Sequence, residues 1–215
     1  MNEPDVTITN FMLVIESLAF AAVLAARPRH PMRDAWIAVF VTLALGSTCG
    51  GLVHGWFPDP ATMPYQVLWP LSVAFVIAAA VALAQVTLQF ASAAQRAAFQ
   101  RRVWIAAGGF AAIMLLGYQS FTLAVAAYLP ASLVLAWLLV RRAQRLQDRA
   151  LWLGVAGVLG SVVAGALQQA KYTPTPALGH NAFYHLLQMV ALALVFAAAA
   201  RLCAQPPGEP HARPS

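Results

Sequence analysis

Two histidines lie inside long apolar runs, and each has polar neighbours at helical spacing. In Gly46-Ser-Thr-Cys-Gly-Gly-Leu-Val-His54, residues Ser47, Gly50/Gly51 and His54 fall at i, i+3/i+4 and i+7, so a helix sets them on one stripe. In Gly179-His-Asn-Ala-Phe-Tyr-His-Leu-Leu-Gln188, residues Asn181, His185 and Gln188 share a stripe at i, i+4 and i+7, while His180 belongs to another face. Gln168-Gln169 ends a further run and extends a line of small residues through Gly157, Ser161 and Gly165. Glu16 is alone in the first run, and a carboxylate there must be protonated, paired or hydrated. Converging imidazoles suit zinc with an open position for water, or two of them could ligate haem. They serve equally as hydrogen-bonding groups between helices, and these alternatives stay open at the level of the residues.

The runs that carry these groups define the class of protein. Of 215 residues, 61% are hydrophobic and 9% are charged, far from the roughly 25% charged of a soluble domain. Mean hydropathy is +0.70. The net charge of +6 comes from short basic clusters between apolar runs, which is topogenic charge and gives no warrant for nucleic-acid binding. The acidic start and the position of Arg27, Arg29 and Arg33 after the first run argue for a retained anchor rather than a cleaved signal. Cys49 and Cys203 fall at opposite membrane levels and are expected as free thiols.

The chain is therefore expected to be an all-α polytopic membrane bundle of seven transmembrane helices. A span needs about 20 largely apolar residues, and candidates lie near 6–26, 35–57, 66–90, 103–117, 121–140, 150–170 and 180–202. Tyr118-Gln119-Ser120 separates the fourth from the fifth. Two crossings there put Arg96, Arg101 and Arg102 on the same side as Arg141, Arg142, Arg145 and Arg149. Of the thirteen Lys and Arg, only Lys171 then falls outside, so the positive-inside rule predicts N-out, C-in, in the inner membrane of a cell. The tail 203–215, rich in proline, is expected to be disordered. No internal repeat of the transporter kind is visible. By this topology the end of the second span, with His54, and the start of the seventh, with His185, meet at the outer face.

With those residues at that level, the chain resembles a divergent bacterial branch of the seven-span superfamily of alkaline ceramidases and progestin and adiponectin receptors. The resemblance covers the whole span plan. In that family a serine and histidine late in span two, an aspartate after them and an H-xxx-H pair opening span seven surround a zinc whose water attacks a lipid amide. The resemblance implies His54 and His185 as metal ligands, joined by His180 or by Asn181, which stands four before His185. Ser47 or Gln168 would stabilise the oxyanion, and Glu16 would orient a ligand or transfer a proton. Gln66 stands where the family has its aspartate, so the general base is unassigned. The expected function is thus a zinc-dependent lipid amide hydrolase working on membrane lipids. The alternative is a non-catalytic sensor, carrier or assembly subunit with a hydrogen-bonded histidine pocket.

Overall fold

The computed structural model describes residues 1–176 and 178–204. They form seven α-helices: α1 (Pro4–Ala25), α2 (Arg33–Trp56), α3 (Met63–Leu88), α4 (Ala93–Leu115), α5 (Phe121–Leu146), α6 (Arg149–Gln169) and α7 (His180–Cys203). All but α4 are long and apolar enough to cross a membrane, as expected of a multi-pass membrane protein. Those six close a ring in the order α1, α2, α3, α5, α6, α7 and back to α1. The remaining helix packs along α3 outside the ring, and none of its residues is buried.

Helix directions follow from contacts at the helix ends. The backbone N–H of Gly179, the residue before α7, donates to Asp5 Oδ2 in the first turn of α1 at 2.9 Å. Trp69 Nε1, near the start of α3, donates to the Gln119 carbonyl just before α5 at 2.7 Å. The edge-to-face pair Phe121–Tyr184 then ties the start of α5 to the start of α7. Helices α1, α3, α5 and α7 therefore all begin at one end, the histidine end, and α4 must return along the bundle between the parallel α3 and α5. Its 23 residues span about 35 Å. The opposite end holds Arg27, whose guanidinium donates to the Ala200 carbonyl, and the pair Arg201–Asp148 at 2.5 Å.

Glycines set how close α2 comes to its neighbours. A Cβ on Gly51 would lie 3.1 Å from Asn10 Cβ, and one on Gly55 would lie 3.0 Å from Thr7 Cγ2, so α1 rests on the α2 backbone. Below this, Phe20 stacks on Phe196 at 4.3 Å, and both meet Phe40 edge-on. With Trp36, Leu24, Leu139 and Leu202 they make an apolar core in the arginine half of the ring. The histidine half is not filled in this way.

Three boundaries differ from the hydropathy pattern. The third helix is shifted to Met63–Leu88, and the fourth begins at Ala93 rather than 103, so Arg96, Arg101 and Arg102 belong to the helix. The fifth runs to Leu146 rather than 140 and takes in Arg141, Arg142 and Arg145. A reciprocal cap between Ser92 and Gln95 starts α4 early, and alanine, arginine and glutamine carry a helix beyond the apolar limit. Cys203 ends α7, and the residues expected as a disordered tail lie, from 205 on, outside the described residues.

Candidate functional site

A cavity of about 170 Å³ occupies the histidine half, and each of the six ring helices contributes to its wall. The helix register layers its lining. Gln168, Asn181 and His54 lie within the outermost turn, and Gly50, Ser47, Asn10, Ser72, Tyr128, Tyr184, His185, Ser161 and Gln188 lie within the next two. Leu13, Leu43, Val76 and Leu192 form the floor with Ser17. Trp69, Phe121, Val125, Leu129 and Val162 also line the cavity, so the polar groups are set into a mostly apolar wall.

Both imidazoles are held through Nδ1. His54 Nδ1 is 2.9 Å from Glu3 Oε2, and a carboxylate can only accept, so Nδ1 carries the proton. The Glu3 and Asn2 amides bond to the His54 and Gly55 carbonyls, which fixes the N-terminal segment against the end of α2. His185 is buried, with Nδ1 at 3.0 Å from Thr9 Oγ1. That hydroxyl also lies 2.8 Å from the Asp5 carbonyl, which takes its proton, so Thr9 accepts from His185 Nδ1–H. With Nδ1 donating, the buried His185 ring keeps its lone pair on Nε2, and among the described residues neither Nε2 has a hydrogen-bond partner.

The other polar groups are joined in short chains. Gln188 Nε2 donates to Ser161 Oγ at 3.1 Å, and Gln168 Nε2 to Asn181 Oδ1 at 3.1 Å. Asn10 Nδ2 donates to the Val6 carbonyl at 3.0 Å, and Ser72 Oγ to the Gly46 carbonyl at 2.9 Å. Ser17, fully buried in the wall, has no partner for its hydroxyl among the described residues. Among the described residues, no Lys, Arg, Asp, Glu or Cys lines the cavity.

Of the residues singled out in the sequence, Ser47, His54, Gln168, Asn181 and His185 line this one cavity. His180 does not: α7 begins at His180, which leaves its ring on another face. Glu16 is also absent from the lining; it is half-buried on α1, and its Oε2 has no hydrogen-bond partner among the described residues. Asp59 caps its own turn through the Ala61 amide at 2.9 Å, and Gln66 reaches the Pro60 carbonyl, so neither enters the cavity. Four contributors escaped notice in the sequence. Asn10 and Ser17, at i and i+7 on α1, were legible as a polar stripe, whereas Glu3 and Thr9 act through long-range contacts that no local pattern reveals.

Zinc sites draw three or four ligands from His, Cys, Asp and Glu. The cavity offers two, and no group of three such residues able to hold a metal occurs among the described residues. The nearest substitute, Asn181 Oδ1, already accepts from Gln168. The donor set does not fit zinc.

Fold and cavity together define the class: an all-helical multi-pass membrane protein with a cavity walled by six helices and holding two histidines. Residues 6–204 match the model of a family of unknown function, DUF6962, and the chain belongs to that family. No curated protein and no solved structure matches it.

Proposed function

We propose that this is a membrane sensor or carrier that binds a small neutral molecule, rich in hydrogen-bond donors, in the histidine-end cavity. The observation that carries this is the wall itself: the His185 lone pair, amides and hydroxyls set among apolar side chains, with no Asp, Glu, Lys or Arg among the lining residues. An anion buried here would find no Arg or Lys, and a cation no carboxylate, so either would pay the full desolvation cost. The free acceptors, His185 Nε2 and the remaining amide oxygens, call for hydroxyl or N–H groups on the ligand. The apolar floor takes a few carbons. An engineered cavity of about 150 Å³ holds one benzene ring, so the volume suits a ligand of about ten heavy atoms or fewer.

The topology belongs to the same proposal: seven crossings, N-out, C-in, in an inner membrane. Support comes from the parallel α3 and α5, which require α4 to traverse the bundle, and from the gathering of nearly all Lys and Arg at the end opposite the histidines. The ceramidase-like hydrolase implied by the resemblance would need a further metal ligand that the lining lacks.

Elemental analysis of zinc in the purified protein, after mild chelation and reloading, separates the two. Wild type and His185→Ala are expected at the same background, while Asn181→His, which creates an H-xxx-H pair on the cavity face, should retain about one zinc per chain. One zinc per wild-type chain, lost in His185→Ala, would replace the sensor or carrier with the metal hydrolase.

A further inference from the structure

The arginine end carries a second, half-open hollow, unrelated to the histidines. It lies between the end of α3, the first half of α4 and the middle of α5, with a volume of about 520 Å³. Its walls are apolar, made by Phe90, Phe99, Val134, Trp137 and Leu138, and Arg102 stands in its lining. The Arg141 guanidinium sits 5.0 Å from the Trp137 ring centre. Arg96 Nε donates to the carbonyl of Ala91, another lining residue, at 3.1 Å.

Charge around this hollow is of one sign. Residues 60–147 contain Arg96, Arg101, Arg102, Arg141, Arg142 and Arg145 and no Asp or Glu. The carboxylates nearby in the fold are engaged elsewhere, Asp34 with Arg33 at 3.0 Å and Asp148 with Arg201. All six cations are arginine, whose planar fork matches phosphate oxygens in a way that lysine does not. Positive topogenic charge alone would need no slot. Here Arg102 lines an apolar groove from α4, the one helix with no buried residue among those described, and Arg141 on α5 lies over Trp137, which also lines it.

We infer that the groove between α4 and α5 is a binding site for one anionic glycerophospholipid, its phosphate held by Arg102 and Arg141 and an acyl chain lying along Phe99, Val134 and Leu138. The occupant must be amphiphilic, because one part of the site is apolar and the other cationic. Its volume lies within the range of about 300–1,000 Å³ typical of ligand pockets. Basic pockets between transmembrane helices recognise anionic headgroups by this chemistry.

Native mass spectrometry of the full chain in neutral detergent tests this, titrating phosphatidylglycerol, phosphatidylcholine with the same chains, inorganic phosphate or a short RNA. One phosphatidylglycerol per chain should be retained, with at least tenfold weaker binding of phosphatidylcholine and no response to phosphate or RNA. The double substitution Arg102→Gln/Arg141→Gln should weaken phosphatidylglycerol binding at least tenfold, whereas Arg29→Gln, at an exposed arginine of the α1–α2 loop, should leave it unchanged. If the double variant does not fold, Val134→Trp fills the slot with every charge kept and should have the same effect. Equal retention of phosphatidylcholine, comparable binding of phosphate or RNA, or wild-type affinity in Val134→Trp or in the folded double variant would overturn the inference.

Discussion

Gly157 lets α6 and α7 touch backbone to backbone, and a single methyl there should unseat the wall that carries Gln168, Ser161, Asn181 and His185. A Cβ on Gly157 would lie 2.5 Å from the Ala191 carbonyl oxygen, 2.7 Å from the Val195 nitrogen and 2.9 Å from Leu194 Cβ. Two of these are backbone atoms that cannot rotate away, so the helices must separate. Overpacking of a tight core costs about 1–3 kcal/mol, and this contact belongs at the upper end. Alanine recovers up to about 1 kcal/mol through helix propensity, leaving a net loss of about 1–2 kcal/mol. Gly165 is the matched control, one helical face further along α6, because nothing lies within 4 Å of its Cβ position. Gly165→Ala gains the same propensity with no clash. For a chain of this size the loss is a fall of about 2–8 °C in the melting temperature. The assay is thermal unfolding of both variants in one detergent, followed by intrinsic tryptophan fluorescence. Gly157→Ala should melt below wild type and Gly165→Ala at or above it. Equal melting of the two variants would refute the close approach of α6 and α7.

Asp148 should behave as a cap and an ion-pair partner at once. Its Oδ1 accepts from the Ala150 amide at 2.9 Å and its Oδ2 from Arg201 at 2.5 Å. Desolvation pushes this carboxyl up, but the Arg201 hydrogen bond and the α6 amides outweigh it and hold the group below its ordinary value. Asp148→Ala should cost about 1–2 kcal/mol, and Asp148→Asn, which keeps a cap acceptor, about 0–1 kcal/mol by equilibrium unfolding. Because the folded carboxyl is depressed, the advantage of wild type over Asp148→Asn should be constant above the ordinary carboxylate range and vanish as pH falls through the lower folded value. Reporters fused after Leu146 and after Cys203 should both register as cytoplasmic, and one inserted at 58–62 as external; an external signal after Leu146 would mean that α4 does not cross.

Most of the helix plan was legible because a bilayer imposes one strong rule, long apolar runs broken by charge, and seven helices appear where seven runs stand. What hydropathy could not supply was the helix ends. Arg96 and Arg141 are helical yet too polar for hydrocarbon, so the apolar run measures the lipid and not the helix. Stripe spacing selected Ser47, His54, Asn181 and His185, which line one cavity, since i, i+4 and i+7 positions face one way on any helix. It failed for Glu16, where depth in the membrane was read without knowing which way α1 is turned. The anchoring of both imidazoles by Glu3 and Thr9 lay beyond any local pattern, since the chain must fold before residues 51 and 176 positions apart can meet.

The central claim, a cavity that accepts a small neutral hydrogen-bond donor, is tested most directly by thermal shift. Small diols, primary amides and lactams are compared with carboxylate and ammonium compounds of the same size, on wild type and on His185→Leu. A ligand at a hundred times its Kd contributes about 2.7 kcal/mol, or about 5–10 °C for a chain of this length. The account predicts that at least one neutral compound raises the melting temperature of wild type by that amount, that its charged counterpart does not, and that His185→Leu abolishes the shift. Stabilisation by charged compounds alone, or a shift that survives in His185→Leu, would contradict it.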